Sequence, residues 1–211
     1  KRAVFLFPLK ALVNDKLRHF EETYASFDIK TIKATGESVT DDIIPLMRGQ
    51  YDICLMTYEK FAAIILANPY VLNQIGTVIV DEAQMIADKN RGLNLEFILT
   101  LLKLKRREGT EPQIIALSAV IGDLNGLERW LGGRLLLHTE RPIPLNEGII
   151  KLNGDFRYIE SDTRNEVITN LIRPSFRKGS SQDIIIPLVQ KLVNEGKNVI
   201  VFRETKSEAQ A

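Results

Sequence analysis

Two adjacent carboxylates, Asp81 and Glu82, directly follow the apolar run 78–80, which is typical of a buried parallel strand. In open α/β sheets, ligands bind at the carboxyl ends of the strands, so this pair is expected at a binding edge. In a nucleoside triphosphatase, the first carboxylate holds Mg²⁺, usually through water, and the second polarises the water that attacks the γ-phosphate. The pair also fits a helix N-terminus, whose dipole favours acids, so both interpretations stay open on these residues alone.

A second candidate, Ser118-Ala119-Val120, also follows an apolar run. Taken alone, it is better explained as a turn in which Ser118 caps a helix. What changes this interpretation is that five apolar runs in succession are each followed by a short segment that contains at least one polar or charged residue. In chain order these segments are Pro8-Leu9-Lys10-Ala11-Leu12, Thr35-Gly36-Glu37-Ser38, Thr57-Tyr58-Glu59-Lys60, Asp81-Glu82-Ala83-Gln84 and Ser118-Ala119-Val120.

The elements that must position these segments alternate between short apolar runs and amphipathic stretches, which predicts βα units around a parallel sheet. We expect strands at 3–7, 29–34, 51–56, 77–80 and 113–117, and helices at 11–20, 41–48, 58–66, 93–105 and 124–131. All five segments would then lie along the carboxyl edge of one sheet.

The pattern changes after residue 140, where the Pro-containing stretch 141–144 interrupts any helix. Residues 145–152 are expected to be extended and 166–172 to form a short helix. Helical periodicity returns at 184–193, followed by an expected strand at 199–202 and Thr205 as a helix cap. The sequence therefore predicts a first domain at 1–140, an extended linker at 141–181 and the start of a truncated second domain at 182–211.

The order and spacing of these segments resemble the superfamily-two helicases, and most closely the DExH Ski-two-like group, which includes archaeal repair helicases and RNA-processing helicases. In that comparison the five segments are motifs Ia, the glycine motif, Ib, II and III. Residues 88–92 with Leu95-Glu96 are similar to the group's D-x-x-R-G…L-E stretch, and residues 141–148 to its R-P-V-P-L-x-E-G linker. The run 199–202, with Thr205 and Glu208-Ala209, resembles motif IV.

The resemblance implies a RecA-like α/β parallel sheet with flanking helices, the start of a second RecA-like domain, and ATP and Mg²⁺ as cofactors. It implies catalytic roles for Glu82, Asp81 and Gln84, with Asp81 holding Mg²⁺ through water, and coupling of hydrolysis to strand separation through Ser118, Ala119 and Val120. Segments that line single-stranded or partly duplex nucleic acid would include Pro8, Lys10, Gly36, Glu37, Thr57, Glu59, Lys60 and Arg91.

The sequence departs from the group's pattern in four ways. The Gly-Lys-Thr phosphate loop is absent, as are motifs V and VI with the arginine finger, so the chain is expected to be an excerpt that cannot turn over ATP by itself. Gln84 stands where the group usually has His, although its amide can still donate and accept. Val120 stands where it usually has Thr. Ser118 is expected to hydrogen-bond toward Asp81 or Gln84.

Composition limits the function classes only loosely. Hydrophobic residues make up 45% of the chain and charged residues 26%, as in an ordinary globular protein. There are 28 basic and 27 acidic residues, a balance that neither requires nor excludes nucleic-acid binding. The single cysteine, Cys54, lies in an apolar run and predicts a buried thiol in a reducing compartment, cytoplasmic, nucleoid or nuclear. No apolar stretch approaches the length of a membrane span.

The sequence therefore predicts an ATP-dependent helicase or translocase that moves on single-stranded nucleic acid. The alternative is an ATPase-deficient nucleic-acid-binding or scaffolding protein on a helicase fold, which Gln84 and Val120 leave open. The ordered motifs argue against a third hypothesis, an unrelated α/β enzyme. Contacts to the backbone do not distinguish DNA from RNA, so both stay open, with DNA slightly favoured.

Overall fold

The computed structural model describes residues 2–35, 43–107, 112–119, 126–138, 140, 142–175 and 179–203, with the backbone alone at 106 and 107. The chain divides into two compact units, residues 1–138 and 139–211. Among the described helices, none combines the length and hydropathy that a membrane span requires.

The first unit is built on a five-stranded, wholly parallel sheet in the order β2-β3-β1-β4-β5. Its strands are β1 (Arg2–Phe7), β2 (Thr31–Ala34), β3 (Ile53–Thr57), β4 (Ile75–Val80) and β5 (Gln113–Ala116). Its α-helices are α1 (Lys10–Tyr24), α2 (Ile43–Met47), α3 (Tyr58–Ala67), α4 (Gly92–Arg107) and α5 (Leu127–Leu131), with 3₁₀ helices at Pro69–Gln74 and Ala83–Ala87.

Apolar residues of the central strands are buried on both faces of this sheet, as is usual for parallel sheets. On one face, Leu6 of β1 and Val80 of β4 belong to a fully buried core that includes residues of α3 and α4. On the other face, Phe7 and Leu55 pack with Val13 of α1. The central strands are thereby fixed between helices, and their carboxyl ends form a continuous edge.

The RecA-like α/β fold expected from the sequence is confirmed by this parallel sheet and its flanking helices. All five strands form where they are predicted, with ends that differ by at most two residues. β5 differs from the others in exposure: Ile115 is 37% exposed, whereas Val4, Val78 and Val80 are fully buried.

The second unit contains a three-stranded antiparallel sheet, β6 (Glu147–Ile150), β7 (Asp155–Ile159) and β8 (Glu166–Asn170), and the helix α6 (Gln182–Asn194). The helix expected at 166–172 is wrong, because this segment pairs with β7 as β8. Its consecutive β-branched residues Val167, Ile168 and Thr169 favour the extended conformation.

The strand expected at 199–202 is also wrong, since residues 197–203 contain neither helix nor strand. The described strands of this unit pair only with one another, so this segment lacks the neighbouring strand that a ladder needs. Thr205 and Arg141 lie outside the described residues. The proposed domain limits, and residues 182–211 as the start of a second RecA-like domain, stay predictions.

Candidate functional site

The carboxylate turn, residues 81–84, begins where β4 ends. The N–H of Asp81 donates to the carbonyl of Leu6 at 3.0 Å, and the N–H of Ala83 donates to the carbonyl of Leu117 at 2.8 Å, just beyond β5. Between them, Glu82 adopts a left-handed conformation with φ 55° and ψ 45°, which is uncommon for a residue other than glycine. Both neighbouring strands therefore hold this turn in an unusual backbone conformation.

Side chains from two strand ends join in a hydrogen-bonded chain that ends on Glu82. The hydroxyl of Ser118 donates to Oε1 of Gln84 at 2.8 Å, and Nε2 of Gln84 donates to the Glu82 carboxylate. The expected contact of Ser118 with Gln84 is confirmed. Gln84 can link the two groups because its amide both accepts and donates.

An open cleft of about 930 Å³ adjoins the carboxylate turn and is lined by Asp81, Glu82, Ser118 and Ala119, among others. Four of the six predicted catalytic and coupling positions therefore share one space, and Gln84 contacts two of them, Glu82 and Ser118. Val120 lies outside the described residues.

The carboxylate turn fits a magnesium ion by the chemistry of its donors. Mg²⁺ usually keeps several waters and is held by one or two carboxylates together with substrate phosphates, and Asp81 and Glu82 supply two partly exposed carboxylates. One oxygen of Asp81 already accepts the N–H of Glu82 at 3.1 Å, which fixes the carboxylate against its own backbone. The described residues contain no cluster of three or more acidic, His or Cys side chains that could hold a metal ion by themselves.

A second space at the same edge, here called the rim cleft, has a volume of about 410 Å³ and lies over the ends of β1 and β3. Six of the eight residues predicted to contact nucleic acid line it, and the other two, Gly36 and Glu37, lie outside the described residues. The complete lining is Pro8, Leu9, Lys10, Thr57, Glu59, Lys60, Ala63 and Arg91. Segments separated by up to 83 positions in the chain thus converge on one small basic cleft.

The start of helix α3 forms one wall of the rim cleft. Oγ1 of Thr57 accepts the N–H of Lys60 at 3.3 Å, so the Thr57 side chain caps this helix. The other N–H groups of the first turn have no partner within the helix, and with the helix dipole they favour an anion. Lys60 adds a full positive charge beside them.

Arg91 is positioned by a turn that the sequence interpretation missed. One oxygen of Asp88 accepts the N–H groups of Asn90 and Arg91, each at 2.9 Å. These N–H groups, that of Arg91 first, lower the pKa of the Asp88 carboxyl and keep it charged. A side chain at Gly92 would clash with the carbonyl oxygen of Ile86. The available signal was an Asp followed three and four residues later by Arg and Gly, since Asp caps such turns.

Tyr58, like Asp88, has no functional role in the sequence-based prediction. Its ring is completely buried, and its hydroxyl donates to the carbonyl of Asp81 and lies 3.4 Å from that of Glu82. Burial raises the pKa of this phenol well above its usual value, and the Asp81 and Glu82 carboxylates raise it further. The hydroxyl is therefore a permanent donor. No spacing rule connects a helix start with a turn 23 residues later.

A RecA-like sheet that carries an Asp-Glu pair after one strand and a Ser after its neighbour defines a class of nucleotide-dependent motor domains. The sequence profile of the DEAD/DEAH box helicase family matches residues 1–125. The chain belongs to this family.

Several relatives carry the description ATP-dependent DNA helicase Hel308. The protein of Caldivirga maquilingensis is 31% identical over 209 residues, which cover 99% of this chain and 25% of the relative. That of Methanocaldococcus jannaschii is 30% identical over 205 residues, 94% of this chain and 16% of the relative. That of Pyrococcus horikoshii is 35% identical over 148 residues, 70% of this chain and 19% of the relative. The chain thus spans at most about a quarter of the length of these relatives.

Proposed function

We propose that the protein to which this chain belongs is an ATP-dependent helicase that moves on a nucleic-acid strand. Family membership and the description of its relatives as ATP-dependent DNA helicases support this assignment. The observation that carries it is the presence of two different sites, the carboxylate turn and the rim cleft, along one edge of a single sheet.

In this proposal the carboxylate turn performs ATP hydrolysis. Glu82 accepts a proton from the attacking water, and Gln84 orients the Glu82 carboxylate through its amide. Asp81 would hold Mg²⁺ through water. When bound, the ion neutralises negative charge that develops on the phosphates.

The rim cleft grips the strand through its phosphates. Lys10, Lys60 and Arg91 supply positive charge, and the N–H groups at the start of α3 bind a phosphate oxygen. Contacts of this kind position a strand without selecting a base sequence. We propose DNA as the strand because the relatives are named DNA helicases.

Ser118, just beyond β5, takes part in coupling hydrolysis to strand separation through its contact with Gln84. A change in the contacts of the Glu82 carboxylate during hydrolysis would be passed to Gln84 and then to Ser118. We also propose a reducing compartment as the site of action, since the single cysteine of the chain, Cys54, is buried and cannot form a disulfide within it.

The test is an ATPase assay on the full-length protein, with single-stranded DNA and RNA of the same sequence compared side by side. We expect hydrolysis that rises with added DNA, and separation of a partly duplex DNA that requires ATP. DNA binding without hydrolysis would instead favour the alternative, an ATPase-deficient binding or scaffolding protein. A larger stimulation by RNA would show that the choice of DNA is wrong.

A further inference from the structure

Tyr58 occupies a position that connects the two sites. Along the chain it stands between Thr57 and Glu59, which both line the rim cleft. Its own side chain points away from that cleft, is completely buried and reaches the carbonyls of Asp81 and Glu82. The backbone of Tyr58 therefore lies in the wall of the rim cleft, whereas its hydroxyl contacts the carboxylate turn.

The backbone that Tyr58 holds is strained. The left-handed conformation of Glu82 persists only where surrounding contacts enforce it. Three of those contacts come from the turn itself and from the strand next to it: Glu82 N–H to the Asp81 carboxylate, Ala83 N–H to Leu117, and Met85 N–H to the carbonyl of Glu82. The contact from Tyr58, by contrast, comes from helix α3, which borders the rim cleft.

We propose that Tyr58 is a positioning residue that couples strand binding in the rim cleft to the orientation of the Asp81 and Glu82 carboxylates. The inference rests on the proposed function of the two sites. A phosphate bound at the start of α3 fixes the backbone of residues 57–60. The Tyr58 hydroxyl transmits this constraint to the two carbonyls of the carboxylate turn, so the Glu82 carboxylate is held in place more firmly when a strand is bound.

Because a coupling free energy is reciprocal, nucleotide binding must change the affinity for the strand by the same factor by which the strand changes the affinity for nucleotide. That factor is obtained by titrating a fluorescent single-stranded DNA oligonucleotide into the full-length protein, with and without a non-hydrolysable ATP analogue. A residue that merely supports the fold would change stability and leave this factor unaltered.

Tyr58→Phe removes the hydroxyl and keeps the ring. The matched control is Tyr51→Phe, because Tyr51 is only 4% exposed and its hydroxyl has no hydrogen-bond partner among the described residues. We expect Tyr58→Phe to bring the coupling factor about three- to tenfold closer to one, the effect of one lost hydrogen bond. DNA stimulation of hydrolysis should fall in parallel, and Tyr51→Phe should keep the wild-type factor.

The outcomes separate the two proposals. A wild-type protein that neither hydrolyses ATP nor binds DNA would overturn the proposed function and, with it, this inference. An active wild type with an unchanged coupling factor in Tyr58→Phe would overturn the inference alone. Should Tyr58→Phe fail to fold, hydrogen exchange in the wild type decides: DNA must slow exchange of the amides at 81–85, and unaltered exchange there would contradict the role of Tyr58.

Discussion

The two sites on the edge of this sheet are built in different ways. In the carboxylate turn, Glu82 is held by a left-handed backbone and by a side-chain chain that runs through Gln84 to Ser118. In the rim cleft, Lys10 and Lys60 lie in the first turns of two helices and line the cleft together with Arg91. The first site therefore orients one reactive group, whereas the second brings together positive charges from separate segments of the chain.

This difference corresponds to two physical tasks. Proton transfer requires a group held within hydrogen-bonding reach of a single atom. Gripping a strand that moves requires attraction to phosphates at many successive positions, which is mainly electrostatic. Substitutions in one site should therefore change the rate of hydrolysis, and substitutions in the other should change strand affinity and its dependence on salt.

The largest effect is expected for Glu82→Gln in the full-length protein. The amide has nearly the size of the carboxylate but accepts no proton, so ATP hydrolysis at saturating DNA should fall by about 10²- to 10⁴-fold, with ATP binding retained. Single-turnover hydrolysis and nucleotide titration measure the two quantities. The matched control is Glu59→Gln, which changes an acid that lines the rim cleft instead. Equal losses of ATP hydrolysis in the two variants would contradict the distinction between the sites.

A smaller effect is expected in the rim cleft. Removing both cations in Lys10→Ala/Lys60→Ala should weaken binding of all DNA sequences about equally, and should reduce the slope of log affinity against log salt concentration by about 1.4, since each phosphate contact on a single strand contributes about 0.7. Lys33→Ala serves as the control, because the Lys33 ammonium donates to Asn14 and does not line the cleft. Weakening confined to one base sequence would indicate base recognition.

The smallest effect is expected at Val120, where the family usually has Thr. The two side chains have nearly the same shape, and one added hydrogen bond contributes about 0.5–1.5 kcal/mol. Val120→Thr should therefore raise the number of base pairs separated per ATP by at most about tenfold, or leave it unchanged. A sharp fall in that ratio would mean that Val120 packs against an apolar neighbour.

The parallel sheet could be predicted from the sequence because its strands are short apolar runs that alternate with amphipathic stretches, and because the order and spacing of the segments after them resemble those of a known helicase group. Outside that sheet the periodicity is weaker. The segment at β8 is short and polar at its ends. Its sequence pattern was therefore interpreted as a helix, although the β-branched residues Val167 and Ile168 favour a strand. The run 199–202 is apolar enough for a strand, but a strand forms only where a neighbouring strand can hydrogen-bond to its backbone.

The residue types at the candidate site were predictable, but only some of the contacts that support them were. Asp81 and Glu82 directly follow an apolar strand, which made them recognisable. The left-handed backbone of Glu82 could not be predicted, because this position is not a glycine. Asp88 and Tyr58 act on backbone groups of Arg91 and of the carboxylate turn. The Asp88 contact is local, and its spacing to Arg91 and Gly92 is a signal for it. The Tyr58 contact depends on how separate segments fold against one another, which spacing along the chain does not encode.

The central claim, that the carboxylate turn hydrolyses ATP and the rim cleft binds the strand, is tested most directly by one titration. DNA-stimulated ATP hydrolysis of the full-length Lys10→Ala/Lys60→Ala variant is measured against DNA concentration at fixed salt, alongside the wild type. The account predicts that half-maximal stimulation shifts to a higher DNA concentration, while the rate at saturating DNA stays close to that of the wild type. A lower saturating rate with an unchanged half-maximal concentration would contradict the account.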